Sequence, residues 1–258
     1  MLKSDRIRIP ESVNVAIVGA GPAGLGVARV LRDLGVPDVL VLERGKIGQS
    51  FLDWPADTRF LTPSFPANVF GATDLNAMSF DSSPGWSLKC EHPSGSEYAK
   101  YLDQAVISFG LNVQCGIEVQ RLEPEGDWFN LHTDHGVVEA DYVIWACGQF
   151  GIPSDGGIVG AEHGRHYASV DRWSDIAGDE AFIIGGYEAG IDAAIGLAKA
   201  GKSVTVFDME APCDNRMENN HEKDTRNCSQ WLPGLGQNDH NQQHHRHQES
   251  AKRCHHSQ

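Results

Sequence analysis

Two six-residue stretches of this 258-residue chain have the residue types and spacing that phosphate binding needs. They are Gly19-Ala20-Gly21-Pro22-Ala23-Gly24 and Gly185-Gly186-Tyr187-Glu188-Ala189-Gly190, and each falls between an apolar run and a helical pattern. In the first, Gly19 permits a tight turn and Gly21 lets the backbone approach a pyrophosphate with no Cβ in the way. Gly24 allows helix to pack closely on strand. The helix N-terminus offers N–H groups and the positive end of a dipole to the phosphates. Glu43 closes the following apolar run, 19 residues after Gly24. A carboxylate there can accept both hydroxyl protons of an adenosine ribose and disfavours a 2′-phosphate. A lone GxGxxG is weak, but strand, turn, helix, strand and acid in succession point to dinucleotide binding. In the second stretch Tyr187 holds the place of the middle glycine, and its side chain is expected to crowd a pyrophosphate unless the turn shifts.

The remaining chemistry-bearing residues assign no catalytic group. Cys147, at the end of an apolar strand, reads better as a small core residue than as a redox thiol. His163 and His166 are as consistent with polar loop positions as with general acids. Trp54, Trp86, Trp145 and Trp173 read as core or lid packing ahead of ring stacking on a cofactor. The six cysteines, at 90, 115, 147, 213, 228 and 254, form no CxxC pair, so neither a zinc knuckle nor a dithiol centre is indicated.

The elements that must hold these residues alternate strand and helix. Val13 to Val18 reads as a buried strand, and Leu25, Ala28, Val30, Leu31 and Leu34 mark a helix stopped by Gly35. Val39 to Leu42 is the next strand. Residues 44–95 show no clear period. A helix is expected over 96–109, with Ser94 or Ser96 as cap. Short alternating stretches at 117–122, 128–132 and 137–139 read as a small antiparallel meander, and Tyr142 to Ala146 as a further buried strand. After a Gly-rich link come a strand at 181–184, the second glycine turn, a helix at 191–200 and a strand at 204–207 closed by Asp208. Two such turns are hard to explain with one cofactor and argue against a single-cofactor dehydrogenase.

Composition breaks near residue 212. Residues 213–258 hold 7 of the 12 His, 6 acids and 6 bases, so the net charge of −14 belongs to the first 212 residues (29 acids against 15 bases). Only 8 of those 46 residues are apolar, too few to offset ordering entropy, so a disordered tail is expected. Its histidines suggest adventitious metal pickup, and no metal site is assigned. The acidic balance argues against nucleic acid and anionic membrane as partners. No secretory segment or spanning run is visible, so a cytoplasmic location and a small-molecule substrate are expected.

The stretches VAIVGAGPAGLGVARVLRDLG with Glu43, GQSFLDW (48–54), FLTPSF (60–65), DYVIWACGQFGIP (141–153), HYASVDRW (166–173) and AFIIGGYEAGIDAA (181–194) together resemble the pyridine nucleotide–disulfide oxidoreductase superfamily. Within it they are similar to the flavin-containing monooxygenase-like branch and to bacillithiol disulfide reductase-like proteins. The resemblance implies an α/β fold: a Rossmann-like FAD-binding domain (1–153) with an inserted, incomplete Rossmann-like NAD(P)-binding domain (154–211), followed by a non-family tail (212–258). It implies FAD on Gly19, Gly21, Pro22, Ala23, Gly24, Glu43, Arg44, Gly48, Gln49, Ser50, Phe51, Thr62, Val119, Ala146 and Gly148. It places NADPH or NADH on Gly185, Gly186, Tyr187, Glu188, Ala189 and Gly190. The activity implied is hydride transfer from NAD(P)H to FAD, then to oxygen or to a small disulfide. Departures are the missing cysteine pair near Lys46 to Asp53, and Ala23 where reductase-like members often carry Cys. The family pattern is expected to stop near residue 211, which leaves a non-catalytic nucleotide-binding remnant as the second reading.

Overall fold

The computed structural model describes residues 8–65, 73–149, 151–154, 156–208 and 216–217. The chain forms two units by contact, Met1–Asn215 and Arg216–Gln258, and of the second only the two-residue strand Arg216–Met217 is described. The expectations of a disordered tail and of metal pickup in it therefore lie outside the described residues.

The first unit begins with β1 (Ser12–Val18), α1 (Pro22–Asp33) and β2 (Val39–Glu43). Two short helices, α2 (Gln49–Leu52) and α3 (Pro84–Leu88), interrupt the stretch that shows no period in sequence. Each is too short for periodicity to reveal it. The long helix α4 (Gly95–Phe109) opens on Ser94, whose hydroxyl accepts from Glu97 N–H while the Glu97 carboxylate accepts from Ser94 N–H. That capping box selects Ser94 over Ser96 and holds the Glu97 carboxyl below its ordinary range. Then follow β3 (Val113–Cys115), β4 (Val119–Glu125), β5 (Trp128–Thr133) and β6 (Gly136–Trp145).

These strands form one six-stranded sheet in the order β3-β2-β1-β6-β5-β4. β1 pairs in parallel with β2 and β6, and β2 with β3, while β4, β5 and β6 form the antiparallel meander. The two pieces expected at 137–139 and 142–146 are a single ten-residue strand. Its first half pairs with β5, from Thr133↔Gly136 to Phe129↔Ala140, while Glu139 to Trp145 pair with β1, from Ser12↔Glu139 to Val18↔Trp145. Asp141, the polar residue that divides the pattern, sits exposed without ending the strand.

β1 is apolar over most of its length because both of its faces are covered. Val15 and Ile17 join Leu25 and Ala28 of α1, Val41, and Tyr98, Tyr101 and Leu102 of α4 in one core. Ala16 and Val18 join Leu40, Leu42, Ile117, Leu131, Val138 and Ala140 in the other. Each fully buried Leu or Ile here contributes roughly 1.5–3 kcal/mol. The apolar face read for α1 is narrower than expected, since Val30 and Leu34 are exposed. Tyr142 and Trp145 are exposed too, so β6 is covered less completely than a buried strand.

Three single-turn 3-10 segments (161–163, 167–169, 173–175) lead to β7 (Glu180–Ile184), α5 (Glu188–Lys199) and β8 (Ser203–Phe207). β7 and β8 pair in parallel. α5 buries Ala193, Ala194 and Leu197, whereas Phe182, Ile184 and Phe207 stay exposed and the two Phe rings stack at 6.1 Å. The α/β architecture with two β-turn-α-β starts is as the sequence predicts.

Candidate functional site

The loop after β1 is shaped by its two outer glycines. Gly19 takes φ +110°, which L side chains rarely adopt, and a Cβ there would meet Ala146 O. A Cβ on Gly24 would run into Gly19 O and sit 3.3 Å from Ile17 Cγ2, so only glycine lets α1 come this close to the turn. Gly21, the N-cap of α1, differs from both. Its φ −83° and ψ −180° suit any residue, and nothing lies within 4 Å of where a Cβ would be. Pro22 at N1 forgoes an N–H that would have had no partner, and the first intrahelical bond runs from Leu25 N–H to Gly21 O at 3.0 Å. The amides of Ala23 and Gly24 precede that bond and belong to the free end of the helix.

Glu43 is 8 % exposed, and it faces this turn. Its carboxylate accepts from Ala20 N–H at 2.8 Å through one oxygen and from Gly45 N–H at 2.8 Å through the other. Each oxygen keeps a lone pair, so the group can still receive two hydroxyl protons. Gly45 is a contributor that the motif reading misses. Its carbonyl also accepts Gly116 N–H at 3.3 Å, beside the bond from Ile117 N–H to Glu43 O at 2.9 Å, and so brings 116–119 to the end of β2. Val119 itself packs into the second core.

Other predicted residues gather here. Ala146 N–H donates to Val18 O at 2.8 Å, and the Ala146-Cys147 backbone lies against Gly19. Gly148, at φ +72°, continues this segment, and Arg44 reaches toward Gly151, its guanidinium 3.6 Å from the point a Cβ on that glycine would occupy. Gly48 N–H donates to Ala20 O at 3.0 Å at φ +69°, which ties the start of α2 to the turn. Gln49 is spent locally, its Oε1 accepting from Lys46 N–H and its Nε2 donating to Asp53. Ser50 is exposed. Phe51 stands in a ring cluster with Trp54, Phe60 and Tyr98 at centroid distances of 4.6–5.7 Å. Thr62 is exposed, its carbonyl accepting from Asn76, and no described contact joins it to the turn.

Three single-residue expectations need correction. Cys147 lies past the end of β6 and is exposed, because Trp145 and its successors leave the sheet's cover. Trp86 and Trp145 are exposed rather than packed, Trp86 holding the Lys89 ammonium 3.6 Å from its ring centroid. Trp54 and Trp173 do pack: Trp54 stands in the Phe51 ring cluster, and Trp173 is buried against α5 where Gly196 has no side chain to obstruct it. His166 Nδ1 accepts from Ala168 N–H at 3.1 Å and caps its own turn, while His163 is exposed beside Glu162.

The second turn repeats the first. Gly185 has φ +103° and donates to Phe207 O at 2.8 Å, as Gly19 does to Leu42 O at 2.8 Å. A Cβ on Gly190 would run into Gly185 O. Tyr187 caps α5 at φ −84° and ψ −170°, with Ile191 N–H donating to Tyr187 O at 2.9 Å. The turn does not shift to admit the tyrosine; its side chain, 83 % exposed, projects into solvent. Glu188 and Ala189 begin α5.

A link between the two halves is invisible in sequence. Asp192 Oδ2 accepts from Thr58 Oγ1 at 2.7 Å and from Tyr167 Oη at 2.9 Å, with the two hydroxyl oxygens 2.8 Å apart. Burial pushes the Tyr167 phenol above its ordinary pKa, so it stays protonated and donating. Ala56 N–H to Asp171 O at 2.8 Å reinforces the same junction.

The match to known proteins follows this geometry. The family model of the pyridine nucleotide-disulphide oxidoreductases matches residues 16–231, and the chain belongs to that family. It is 31% identical over 189 residues to a Baeyer-Villiger monooxygenase of Streptomyces coelicolor, covering 69% of this chain and 34% of the relative. The structure of the bacillithiol disulfide reductase Bdr (YpdA) from Staphylococcus aureus superposes with a TM-score of 0.61 at 25% identity, over 76% of this chain and 57% of that one. A structure of OTEMO in complex with FAD and NADP superposes with a TM-score of 0.57 at 19% identity, over 76% of this chain and 38% of that one, and shares the fold. The chain spans about a third to a half of the length of the curated relatives it matches. Among the described residues no helix is long and apolar enough to cross a membrane.

Proposed function

We propose that this chain carries the two nucleotide-binding turns of an FAD- and NAD(P)H-dependent oxidoreductase that acts on a small molecule. The observation that carries the reading is the Glu43 carboxylate, held by two backbone amides beside a glycine turn that leaves open space at Gly21. That turn fits the adenosine-diphosphate part of FAD: the amides of Ala23 and Gly24 would face phosphate, Glu43 the ribose, and Gly21 would leave room for the pyrophosphate. In this reading residues 1–153 serve FAD and 154–211 the nicotinamide nucleotide. When bound, the flavin would accept a hydride from the reduced nicotinamide and hand the electrons to oxygen or to a small disulfide.

The protein's own contribution is binding, orientation and exclusion of water. The Thr58–Tyr167–Asp192 bonds hold α5 and its glycine turn against the loop that follows Phe51. No acid–base side chain is required for hydride transfer itself. Oxygen is the acceptor that the residues favour, because Ala23 stands where reductase-like members often carry Cys and no described cysteine is paired with another.

An absorbance scan of the purified protein between about 350 and 500 nm, before and after reduced nicotinamide nucleotide, tests the reading. A flavin band that bleaches and returns on aeration with oxygen uptake is the expected result. Return of the band only with an added disulfide would reassign the acceptor, and a protein that stays colourless when reconstituted with FAD would refute the proposal.

A further inference from the structure

We propose that Asp192 is a positioning residue: through Thr58 and Tyr167 it fixes where the second glycine turn stands relative to the first, and so sets the rate of hydride transfer although it belongs to neither turn. The inference rests on the reading of the two turns as the FAD and nicotinamide sites. Among the described residues, β7 and β8 pair with no strand of the six-stranded sheet. The placement of one turn against the other therefore depends on loops and side chains, not on a shared ladder.

The first half presents a fixed loop. Gly48 N–H donates to Ala20 O at 3.0 Å, and Phe51 O lies against Gly95, where a Cβ would run into it. Beyond α2, Phe60 N–H donates to Pro93 O at 3.0 Å and Arg59 forms a β-bridge with Ser94. Thr58 lies between these anchors and is 6 % exposed.

The second half is gripped at two points one turn apart on α5. Asp192, two residues past Gly190, accepts the hydroxyls of Thr58 and Tyr167 through Oδ2. Trp173 packs on Gly196, where a Cβ would run into the indole, and its ring lies 5.4 Å from that of Tyr167. Positions 192 and 196 share a helix face, so the two contacts fix the direction of the helix as well as its distance. The segment between is held in turn, Ala56 N–H donating to Asp171 O at 2.8 Å and Trp173 N–H to Asp57 Oδ2 at 3.4 Å. Because α5 carries the second turn at its N-terminus, a tilt at this junction displaces that turn.

Both hydroxyls use the same carboxylate oxygen. An amide oxygen in that place accepts both as well, so the role asks for an acceptor at one point and not for charge. In the proposed reaction one hydride leaves the nicotinamide and enters the flavin, oxidising the first and reducing the second with no other redox partner. A misplacement of about 1 Å costs such a step about 10²-fold. Affinity for each nucleotide is set by its own turn and should change little.

The test is anaerobic stopped-flow reduction of the full FAD-loaded chain by NADH and by NADPH over a range of concentrations, beside hydrogen exchange of the flavin-free chain. Asp192→Ala should lower the limiting reduction rate at least about tenfold, with flavin content and nucleotide Kd within about threefold of the parent. Tyr167→Phe keeps the ring beside Trp173 and should lose less, while Asp192→Asn should recover the parent rate to within about threefold. In the flavin-free chain, Asp192→Ala should speed exchange of the α5 amides and leave those of β1 as they are. An unchanged limiting rate or unchanged α5 exchange in Asp192→Ala, a loss of affinity equal to the loss of rate, or no recovery in Asp192→Asn overturns the positioning role and leaves the two-nucleotide reading standing. A flavin-loaded parent that neither nucleotide reduces overturns that reading, and this inference with it.

Discussion

At Gly21 and at Tyr187 the backbone takes one path, φ −83° with ψ −180° in the first turn and φ −84° with ψ −170° in the second. The outer glycines agree as well, Gly19 with Gly185 at positive φ and Gly24 with Gly190 in contact with the carbonyl of the first. What differs is the middle residue and the surroundings. A glycine turn of this kind is therefore shaped by its outer glycines, for reasons of φ and close approach, while the middle residue is under neither constraint. The surroundings point the same way. The Glu43 turn follows β1, a central strand of the six-stranded sheet that is covered on both faces, whereas the strands beside Asp208 leave Phe182, Ile184 and Phe207 exposed.

The largest expected effect breaks this equivalence at the outer glycines. Gly24→Ala places a methyl into Gly19 O and should destabilise the large half by about 2–3 kcal/mol, read from denaturant midpoints. Gly190→Ala makes the same collision with Gly185 O, and should unfold α5 with β7 and β8 while the signal of Tyr98 and its neighbours persists. Coincident loss of both signals would show the halves to be one cooperative unit.

Next in size is the acid. Glu43→Ala leaves the Ala20 and Gly45 amides without their acceptor and should cost about 1–3 kcal/mol, with flavin retention lost. Asp208→Ala, at an exposed position, should change stability by no more than about 0.5 kcal/mol. Equal costs at the two sites would contradict the difference in burial.

Alkaline pH should weaken the large half, and the junction as well, where burial raises the Tyr167 phenol. Burial pushes the phenols of Tyr98 and Tyr101 above their ordinary value, and both lie in the core of the large half. A pKa raised in the folded state contributes stability that is complete below the unfolded value of about 10 and is lost as pH climbs toward the folded one. The unfolding midpoint of the large half should hold to about pH 9 and then fall, with a shallower fall in Tyr98→Phe.

The smallest change in stability belongs to the middle residues. Gly21→Tyr meets open space and permitted dihedral angles, so its stability should stay within about 0.5 kcal/mol of the parent while flavin content drops. Tyr187→Gly should tighten nicotinamide nucleotide binding at similar stability. A Gly21→Tyr protein that keeps its flavin would show that the middle position is free of the ligand as well.

Much of this molecule is local and so was legible in the residues. The tight turn at Gly19, a serine cap at 94 or 96, the apolar run of β1 and the acid at Glu43 each depend on a few neighbours in the chain, and their types and spacing announce them. Lengths that tertiary pairing sets were not legible. β6 continues through Asp141 because β1 offers partners from Glu139 to Trp145 whatever the polarity of one exposed side chain. The exposure of Cys147, Trp86 and Trp145 likewise depends on what covers them, which no local pattern records.

By itself the sequence determined that two strand-turn-helix-strand units exist, that the outer glycines bend them, and that an acid follows each. Only the tertiary structure decided how those acids are used. Glu43 is locked by the amides of Ala20 and Gly45, and Asp208 leans over Gly186 because that residue has no Cβ. The same holds for Thr58, Tyr167 and Asp192, which lie up to 134 residues apart and share one carboxylate oxygen. The physical reason is one of range: dihedral preference and helix capping act within a few residues, while hydrogen bonds across a fold form only where packing brings distant segments together.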